Sequence, residues 1–308
     1  RANNFFTILH NLSSFIYMSM TNISVIIITY NSSKEIRRCI DSVLKNRDAK
    51  TNIRITIIDN NSTDDTKLIL KKYVKNNKIF DITFNKNNVG FSKAVNQAIK
   101  KNDSDYFLLL NPDVFLEKNS LKNIIKCATL DGVGICGGKT VGLHGEKQGD
   151  HFRIPNLMVG IFDFTNLRKF LKSDYWHNYF YDNYSNPSKL KLVGSVSGGY
   201  MLINKDTIKK IGYLDEDYFM YLEDVDFCLR ANNNGVKVVY CPSAKGVHIG
   251  GASSNNKERS NMGAWNQSRK IFYIKNFGLL QNIIIQPIFF FDEVLIKIKR
   301  FIDENLSH

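Results

Sequence analysis

The sequence predicts an α/β fold: a mostly parallel central sheet flanked by helices, with a C-terminal helical extension. Three observations carry the prediction. Apolar runs rich in β-branched residues recur at Ile23–Tyr30, Ile53–Ile58, Phe80–Phe84, Tyr106–Leu110 and Val133–Cys136. Runs without polar alternation belong to strands buried on both faces, as in a parallel sheet covered by helices. Between them lie segments with apolar residues at three- and four-residue steps, so each connection reads as a helical crossover. Finally, the strands end in polar loops, at Thr29–Asn31, Asp59–Asn61, Asn88–Gly90 and Asn111–Asp113. In a parallel sheet these loops converge on one edge, where open α/β sheets bind ligands.

The elements follow in order. After the first strand, Asn31-Ser32-Ser33 supplies a turn and an N-cap, and Ile36, Cys39, Ile40, Val43 and Leu44 mark one helix face. The second strand ends at Asp59-Asn60-Asn61-Ser62-Thr63-Asp64-Asp65, a loop that caps a helix over 66–75. Helical patterns follow at 91–101 and 121–130. Residues 139–192 lose periodicity and gain aromatics, including Phe152, Trp176, Tyr179, Phe180, Tyr181 and Tyr184. They read as an insertion along one side of the site, or as a satellite core. The small-residue stretch Val193–Ile203 runs into a strand, and the sequence predicts another strand at Val236–Tyr240, a short helix over Asp206–Ile211 ended by Gly212, and a helix from Val225 ended by Gly235. A helix over Lys257–Lys275 precedes the tail.

The bulk properties narrow the function. The 308 residues are 43% hydrophobic and 23% charged, a globular composition. The net charge of +13 favours an anionic partner: a nucleotide, a nucleic acid or a membrane surface. The five cysteines are scattered with no C-x-x-C, so neither a zinc knuckle nor a disulfide frame is expected, and a reducing compartment is favoured. Residues 1–20 read as a leader or expression remnant. Leu279–Phe291 is apolar but too short to span a bilayer, which needs about 20 residues. With Lys297, Lys299 and Arg300 beyond it, residues 278–308 fit an amphipathic tail on a membrane interface. A docked terminal helix or a homodimer contact fits the same pattern.

Two nucleotide motifs fail. Gly138-Lys139-Thr140 resembles the end of a P-loop, but the required first glycine would fall at Val133. No G-x-G-x-x-G follows the first strand. Phosphate must therefore be held otherwise. Asp113, fixed after Pro112 at the end of a buried strand, suits a divalent metal carrying phosphates, although Asn-Pro-Asp also fits a plain turn. Glu223, Asp224 and Asp226 crowd the start of a helix. They either complement its dipole or supply a general base whose pKa mutual repulsion raises. His248, before a glycine-rich turn, is either structural or a metal ligand. Paired glycines Gly198 and Gly199 allow close backbone approach to a ligand.

Six stretches in this order resemble family 2 glycosyltransferases, and within them the bacterial rhamnosyltransferase-like enzymes. They are Val25-Ile26-Ile27-Ile28-Thr29-Tyr30-Asn31, Ile58-Asp59-Asn60-Asn61-Ser62, Asn88-Val89-Gly90-Phe91, Asn111-Pro112-Asp113, Glu223-Asp224-Val225-Asp226 and His248. The resemblance covers about residues 22–277. It implies a GT-A fold over 21–277, with a Rossmann-like nucleotide-sugar half at 21–137 and an acceptor half at 138–277. It implies a dTDP- or UDP-sugar donor, rhamnose being the first expectation, a divalent cation (Mn or Mg), and inversion at the anomeric carbon. Thr29, Tyr30 and Asn31 would border the base and ribose, Asp59 would accept the pyrimidine imide N–H, and Asn61 would belong to the donor nucleotide site. Asn88, Gly90, Phe91 and Asn96 would lie along ribose and phosphates. Asn111 stands where the family often has Asp. Asp113 and His248 would bind the metal, Asp224 would be the base with Glu223 second, and Arg259 or Arg269 would meet the diphosphate. The acceptor would be a glycan or a polyprenyl-diphosphate-linked sugar, at the cytoplasmic face of a bacterial membrane. A nucleotidyltransferase would need a glycine- and basic-rich loop after the first strand, which Thr29-Tyr30-Asn31-Ser32 does not supply. A nucleic-acid-binding protein is disfavoured by dispersed lysines and the lack of an RNA-binding motif.

Overall fold

A computed structural model describes residues 20–74, 78–182, 188–249 and 255–306. The expected leader (1–20, of which only Met20 is described), Tyr184 and the glycine turn after His248 lie outside those residues. The first half alternates as the sequence predicts: β1 (Thr21–Thr29), α1 (Ile36–Lys45), β2 (Thr51–Asp59), α2 (Thr66–Val74), β3 (Phe80–Phe84), α3 (Phe91–Lys100) and β4 (Tyr106–Leu110). A short β5 (Val114–Leu116), α4 (Ser120–Ala128) and β6 (Val133–Val141) follow. Then come β7 (His151–Phe152), α5 (Leu157–Phe162), α6 (Leu167–Leu171), α7 (Tyr175–Phe180), β8 (Lys191–Leu192), β9 (Ser195–Val196), β10 (Tyr200–Asn204) and α8 (Lys205–Ile211). The chain closes with α9 (Glu223–Asn233), β11 (Lys237–His248), α10 (Asn255–Asn276) and α11 (Leu279–Leu306).

The main sheet runs β3-β2-β1-β4-β10-β6-β11-β5, with β8 beside β11. Strands β3, β2, β1 and β4 are parallel, and Thr29, Asp59 and Phe84 stand level at their carboxyl ends. Strand β10 is antiparallel to both β4 and β6, because it begins at the ligand edge and runs away from it. That reversal brings the residues before it, Gly198 and Gly199, to the carboxyl end of β4. Strand β6 crosses residue 138, so the expected nucleotide and acceptor halves share one sheet. Strand β11 follows β6 in parallel, shifts register between Cys241 and Lys245, and ends antiparallel to β5, with His248 opposite Val114.

Two apolar cores cover the faces of the sheet. One gathers Ile23, Val25, Ile27, Ile40, Val43 and Leu108; the other gathers Ile26, Ile58, Val95, Leu109, Met201 and Phe227. A third joins the 139–192 segment to α10 and α11 through Val159, Phe164, Phe180, Phe272, Tyr273 and Phe289. Burial of each such side chain stabilises the fold by about 1.5–3 kcal/mol.

Two expectations are corrected. Cys127 and Cys241 form a disulfide, with Cα atoms 6.5 Å apart, because α4 packs on β11. A local C-x-x-C search carries no information about a pair 114 residues apart. Cys39, Cys136 and Cys228 are buried thiols. The tail is helical over Leu279–Leu306, within the expected 278–308, but its apolar stretch runs past Phe291: Leu279–Lys299 is long and apolar enough to cross a membrane by length and composition.

Candidate active site

The post-strand loops of β1, β2 and β3 are laced together. Thr29 Oγ1 donates to Asp59 Oδ2 (3.4 Å), and the Ser62 amide donates to Asp59 Oδ1 (2.9 Å), leaving the Asp59 carboxylate fully buried at the floor of the loops. Asn31 takes a left-handed φ of 53°, donates its amide to Ser62 Oγ (2.8 Å), and accepts from the Thr63 amide (2.7 Å). Asn61 is also left-handed and accepts from Lys67 Nζ (2.7 Å). Asn tolerates this conformation better than most residues, which is why both turns carry it. Tyr30 lies exposed on the rim. Asn60, which sequence reasoning gave no role, donates to the Gly90 carbonyl (3.0 Å) and accepts from Asn85 Nδ2 (2.9 Å), tying the second loop to the third.

Asn88 accepts from the Gly90 amide (3.0 Å), folding the turn into α3. Gly90 has a φ of +85°, and an added Cβ would lie 2.5 Å from the Phe219 carbonyl oxygen. Only glycine fits that crossing. Phe91 donates its amide to the same carbonyl (2.6 Å). Asn96 departs from its expected place along the phosphates. It is buried, and its side chain donates to the Leu214 carbonyl (2.8 Å) and Glu216 (3.0 Å) and accepts from the Leu214 amide (3.1 Å). Its amide is spent anchoring the 214–216 loop.

At the end of β4, the Asn111 amide donates to the Gly199 carbonyl (2.9 Å) and the Val114 amide to the Asn111 carbonyl (3.0 Å). This turn points Asp113 at His248: Oδ2 and Nε2 are 3.3 Å apart, both partly exposed. The Ile249 amide donates to the Asp113 carbonyl (3.1 Å) and locks the pair. Two ligands at right angles on an ion with bonds of about 2.1 Å lie roughly 3.0 Å apart, so the pair fits two positions of a divalent cation. Among the described residues, no cluster of three or more His, Cys, Asp or Glu side chains could hold a metal.

Across this turn lies a cavity of about 270 Å³ lined by Phe91, Asn111, Gly198, Gly199, Glu223 and Asp224, with Phe152, Phe180, Tyr181 and Trp265 among its aromatic walls. Three of the aromatics flagged in the insertion therefore face the cavity, while Trp176 and Tyr179 pack in the satellite core. Helix α9 begins two residues earlier than expected. Tyr221 and Leu222, at φ 74° and 63°, bend the chain into it. These are strained values for bulky residues, and they set Glu223 and Asp224 at the cavity.

Asp224 Oδ2 accepts from the Gly198 amide (2.8 Å) and Oδ1 from the Val225 amide (2.8 Å). Burial raises its pKa, and those amide hydrogen bonds oppose the rise. Glu223 is pushed well above the usual carboxylate range by burial and then by the neighbouring Asp224. Its Oε2 has no hydrogen-bond partner among the described residues. Asp226 faces away, paired with Arg230 (2.9 Å) and Asn276 (3.1 Å), so only two of the three carboxylates belong to the cavity.

The expected diphosphate role of Arg269 is corrected. Its guanidinium is buried and paired with Asp292 of α11 (2.7 Å), so it holds the tail to the domain. The side chain of Arg259 lies outside the described residues. Gly198 and Gly199 both line the cavity, and a Cβ added at Gly198 would lie 3.5 Å from Asp224, in ordinary contact.

Comparison with known proteins fits this arrangement. The chain is 26% identical over 260 residues to the N-acetylglucosaminyl-diphospho-decaprenol L-rhamnosyltransferase of Mycobacterium tuberculosis, covering 80% of this chain and 82% of that one. It is 24% identical to the rhamnosyltransferase WbbL of Escherichia coli over 50% of this chain and 56% of the relative. Among solved structures, GalNAc-T7 with UDP, GalNAc and Mn²⁺ superposes with a TM-score of 0.60 at 16% identity, over 83% of this chain and 48% of that one. Residues 1–349 of TarS from Staphylococcus aureus give 0.53 at 18% identity, over 87% and 80%. These likenesses identify the fold as GT-A. The model of the family "Glycosyl transferase family 2" matches residues 24–212, more than half of the sequence, and the chain belongs to that family.

Proposed function

We propose that this glycosyltransferase moves a sugar, rhamnose from dTDP-rhamnose in the first instance, onto a hydroxyl of a lipid-linked or cell-surface glycan, with inversion. Transfer of another hexose from a UDP-sugar is the alternative. The observation that carries the reading is the shared cleft: the Asn111–Asp113 turn and Asp224 are joined through Gly199 and Gly198. The laced loops of Thr29, Tyr30, Asn31, Asp59, Asn61 and Asn88 would seat the nucleotide, in the 21–137 half. The aromatic wall from 138–277 would face the acceptor. The rhamnosyltransferase relative, whose name specifies a diphospho-decaprenol acceptor, supports this chemistry.

In the reaction, Asp224 accepts the proton of the acceptor hydroxyl as its oxygen bonds to the anomeric carbon. The bond from that carbon to the diphosphate breaks on the opposite face, so the centre inverts. The nucleoside diphosphate leaves with the electron pair, and the proton stays on Asp224. Asp113 and His248 would hold a divalent cation, Mn or Mg, which when bound neutralises charge on the diphosphate. The two backbone amides on Asp224 orient its carboxylate toward the cavity. Phe91 and Gly199 line the cavity between Asp224 and the Asn111 turn. The tail would rest on the cytoplasmic face of the membrane.

A donor screen tests this. Thermal unfolding is followed with dTDP- and UDP-sugars, with Mn²⁺, Mg²⁺ or chelator. A donor at about 100 times its Kd stabilises by about 2.7 kcal/mol. Metal-dependent stabilisation by one pyrimidine-diphosphate sugar is expected. Stabilisation by none, or by purine donors alone, overturns the reading.

A further inference from the structure

Helix α11 is docked along one face and apolar along the other. Ile285, Phe289 and Asp292, at steps of four and three, are buried against the domain. Ile283, Ile284, Phe290, Phe291, Leu295 and Ile298 occupy the opposite face and are exposed. At roughly 100 Å² each they form a patch on the order of 600 Å², at the upper end of what a monomer shows. The helix cannot cross a bilayer while the Arg269–Asp292 pair (2.7 Å) and the Lys270–Glu293 pair (2.8 Å) hold its middle to α10. Its outer face can lie in the plane of a membrane.

A second element stands beside it. Asn166, at the start of α6, donates its amide (2.9 Å) and its side-chain amide (3.1 Å) to Asp292. From that anchor α6 presents Phe170, 82% exposed, and Leu171, 49% exposed, between Lys169 and Lys172. Between α6 and α11 lies a cavity of about 340 Å³, bounded by Arg168, Lys169, His177 and Ile296. It shares Tyr181 and Trp265 with the cavity that holds Asp224.

We propose that α6 is a second membrane-inserting element: Phe170 and Leu171 enter an anionic lipid surface beside the outer face of α11, and the cleft between the helices admits a lipid-linked acceptor to Asp224. Charge complementarity selects the occupant. Lys169 and Lys172 on α6, with Lys297 and Lys299 on α11, flank the apolar side chains as they do in interfacial helices. The cavity lining holds Asp163, paired with Arg168 (3.1 Å) and His177 (2.9 Å), as well as Lys169, which with Lys172 supplies positive charge beside Phe170 and Leu171 for a phosphate linker. The inference rests on the lipid-linked acceptor proposed above.

The test uses the full chain and vesicles of phosphatidylethanolamine with phosphatidylglycerol, against phosphatidylcholine alone. The variant Phe170→Ser/Leu171→Ser is compared with Leu68→Ser, an exposed leucine on α2. Both sites are exposed, so matching thermal melts are expected. The double variant is expected to lose about tenfold or more in partition to anionic vesicles, and Leu68→Ser nothing. It should also lose transfer to an acceptor embedded in those vesicles while keeping transfer to a short-tailed, water-soluble acceptor. Unchanged partition of the double variant, with loss in Ile283→Ser/Phe290→Ser, overturns the role of α6 and leaves the tail contact standing. Failure of the wild type to partition overturns both. A wild-type dimer that the double variant dissociates would make a second copy the occupant and overturns the proposal. Equal loss of transfer on both acceptors overturns the entry cleft. Absence of transfer by the wild type on any acceptor, with vesicle binding intact, faults the acceptor reading instead.

Discussion

Replacing Asp224 with Asn changes one atom and separates catalysis from architecture. The carboxylate accepts one backbone amide on each oxygen, from Gly198 and from Val225. Asparagine can accept only one of the two, and its NH₂ must face the other N–H. One reversed hydrogen bond costs about 1–3 kcal/mol. At about 2–4 °C per kcal/mol this lowers the melting temperature by at most several degrees, offset in part because the neutral side chain relieves the burial that raises the Asp224 pKa, and the fold survives. Losing the base costs about 10²–10⁴ in kcat, or roughly 3–5 kcal/mol of barrier. Donor affinity should hold, because the loops proposed to seat the nucleotide are tied through Asp59, Asn60 and Asn31 and not through α9. The assay pairs calorimetric donor titration with nucleoside diphosphate release in the presence of acceptor. A variant that turns over within about threefold of wild type removes Asp224 from the chemistry. Equal loss of donor affinity and turnover would instead make it a binding residue.

Three further outcomes are expected. Glu223 has a raised pKa in the fold, so it binds more protons folded than unfolded; its stabilising contribution is complete below about pH 4.3 and is lost as pH rises toward the folded value. Glu223→Gln should therefore melt higher than wild type near and above neutral pH and converge with it in acid; a gap that widens in acid contradicts the assignment. Arg269→Leu removes the cation paired with buried Asp292, leaving it only its Asn166 hydrogen bonds, and should cost about 3–5 kcal/mol in denaturant unfolding, with donor affinity unchanged, and a drop in donor affinity without destabilisation would restore a phosphate role. Chelator should abolish transfer and Mn²⁺ or Mg²⁺ restore it, with His248→Ala requiring about 10–100 times more metal for half-activity; an unchanged metal requirement would leave the Asp113–His248 contact as a plain ion pair.

The strands were legible because burial on both faces writes itself into consecutive residues. Phe80–Phe84 and Tyr106–Leu110 match their observed limits. The start of α9 was misread by two residues because the bend at Tyr221–Leu222 uses left-handed backbone at residues that have no preference for it. Asn60 escaped notice for a related reason. Its contribution is a hydrogen bond to Gly90, thirty residues away, and no local pattern encodes that. Arg269 and Asn96 failed in the opposite direction: a cation near the end of the chain and an amide after a glycine turn resemble ligand groups, yet both are consumed by long-range partners. The disulfide between Cys127 and Cys241 is hidden likewise.

What separates the legible residues from the illegible ones is the reach of the interaction that fixes them. The loop residues follow directly from strand ends, so a parallel sheet alone suffices to gather Thr29, Asp59, Gly90 and Asn111. Gathering Asp224 and His248 takes two non-local devices. The reversal of β10 carries Gly198 to the carboxyl end of β4, where its amide meets Asp224. The register shift in β11 swings its last residues onto β5 and aims His248 at Asp113. Both devices use irregular or antiparallel pairing inside an otherwise parallel sheet. Asp224 and His248 thereby reach the carboxyl end of β4 from elements later in the chain, where the proposed base stands across from the Asn111–Asp113 turn.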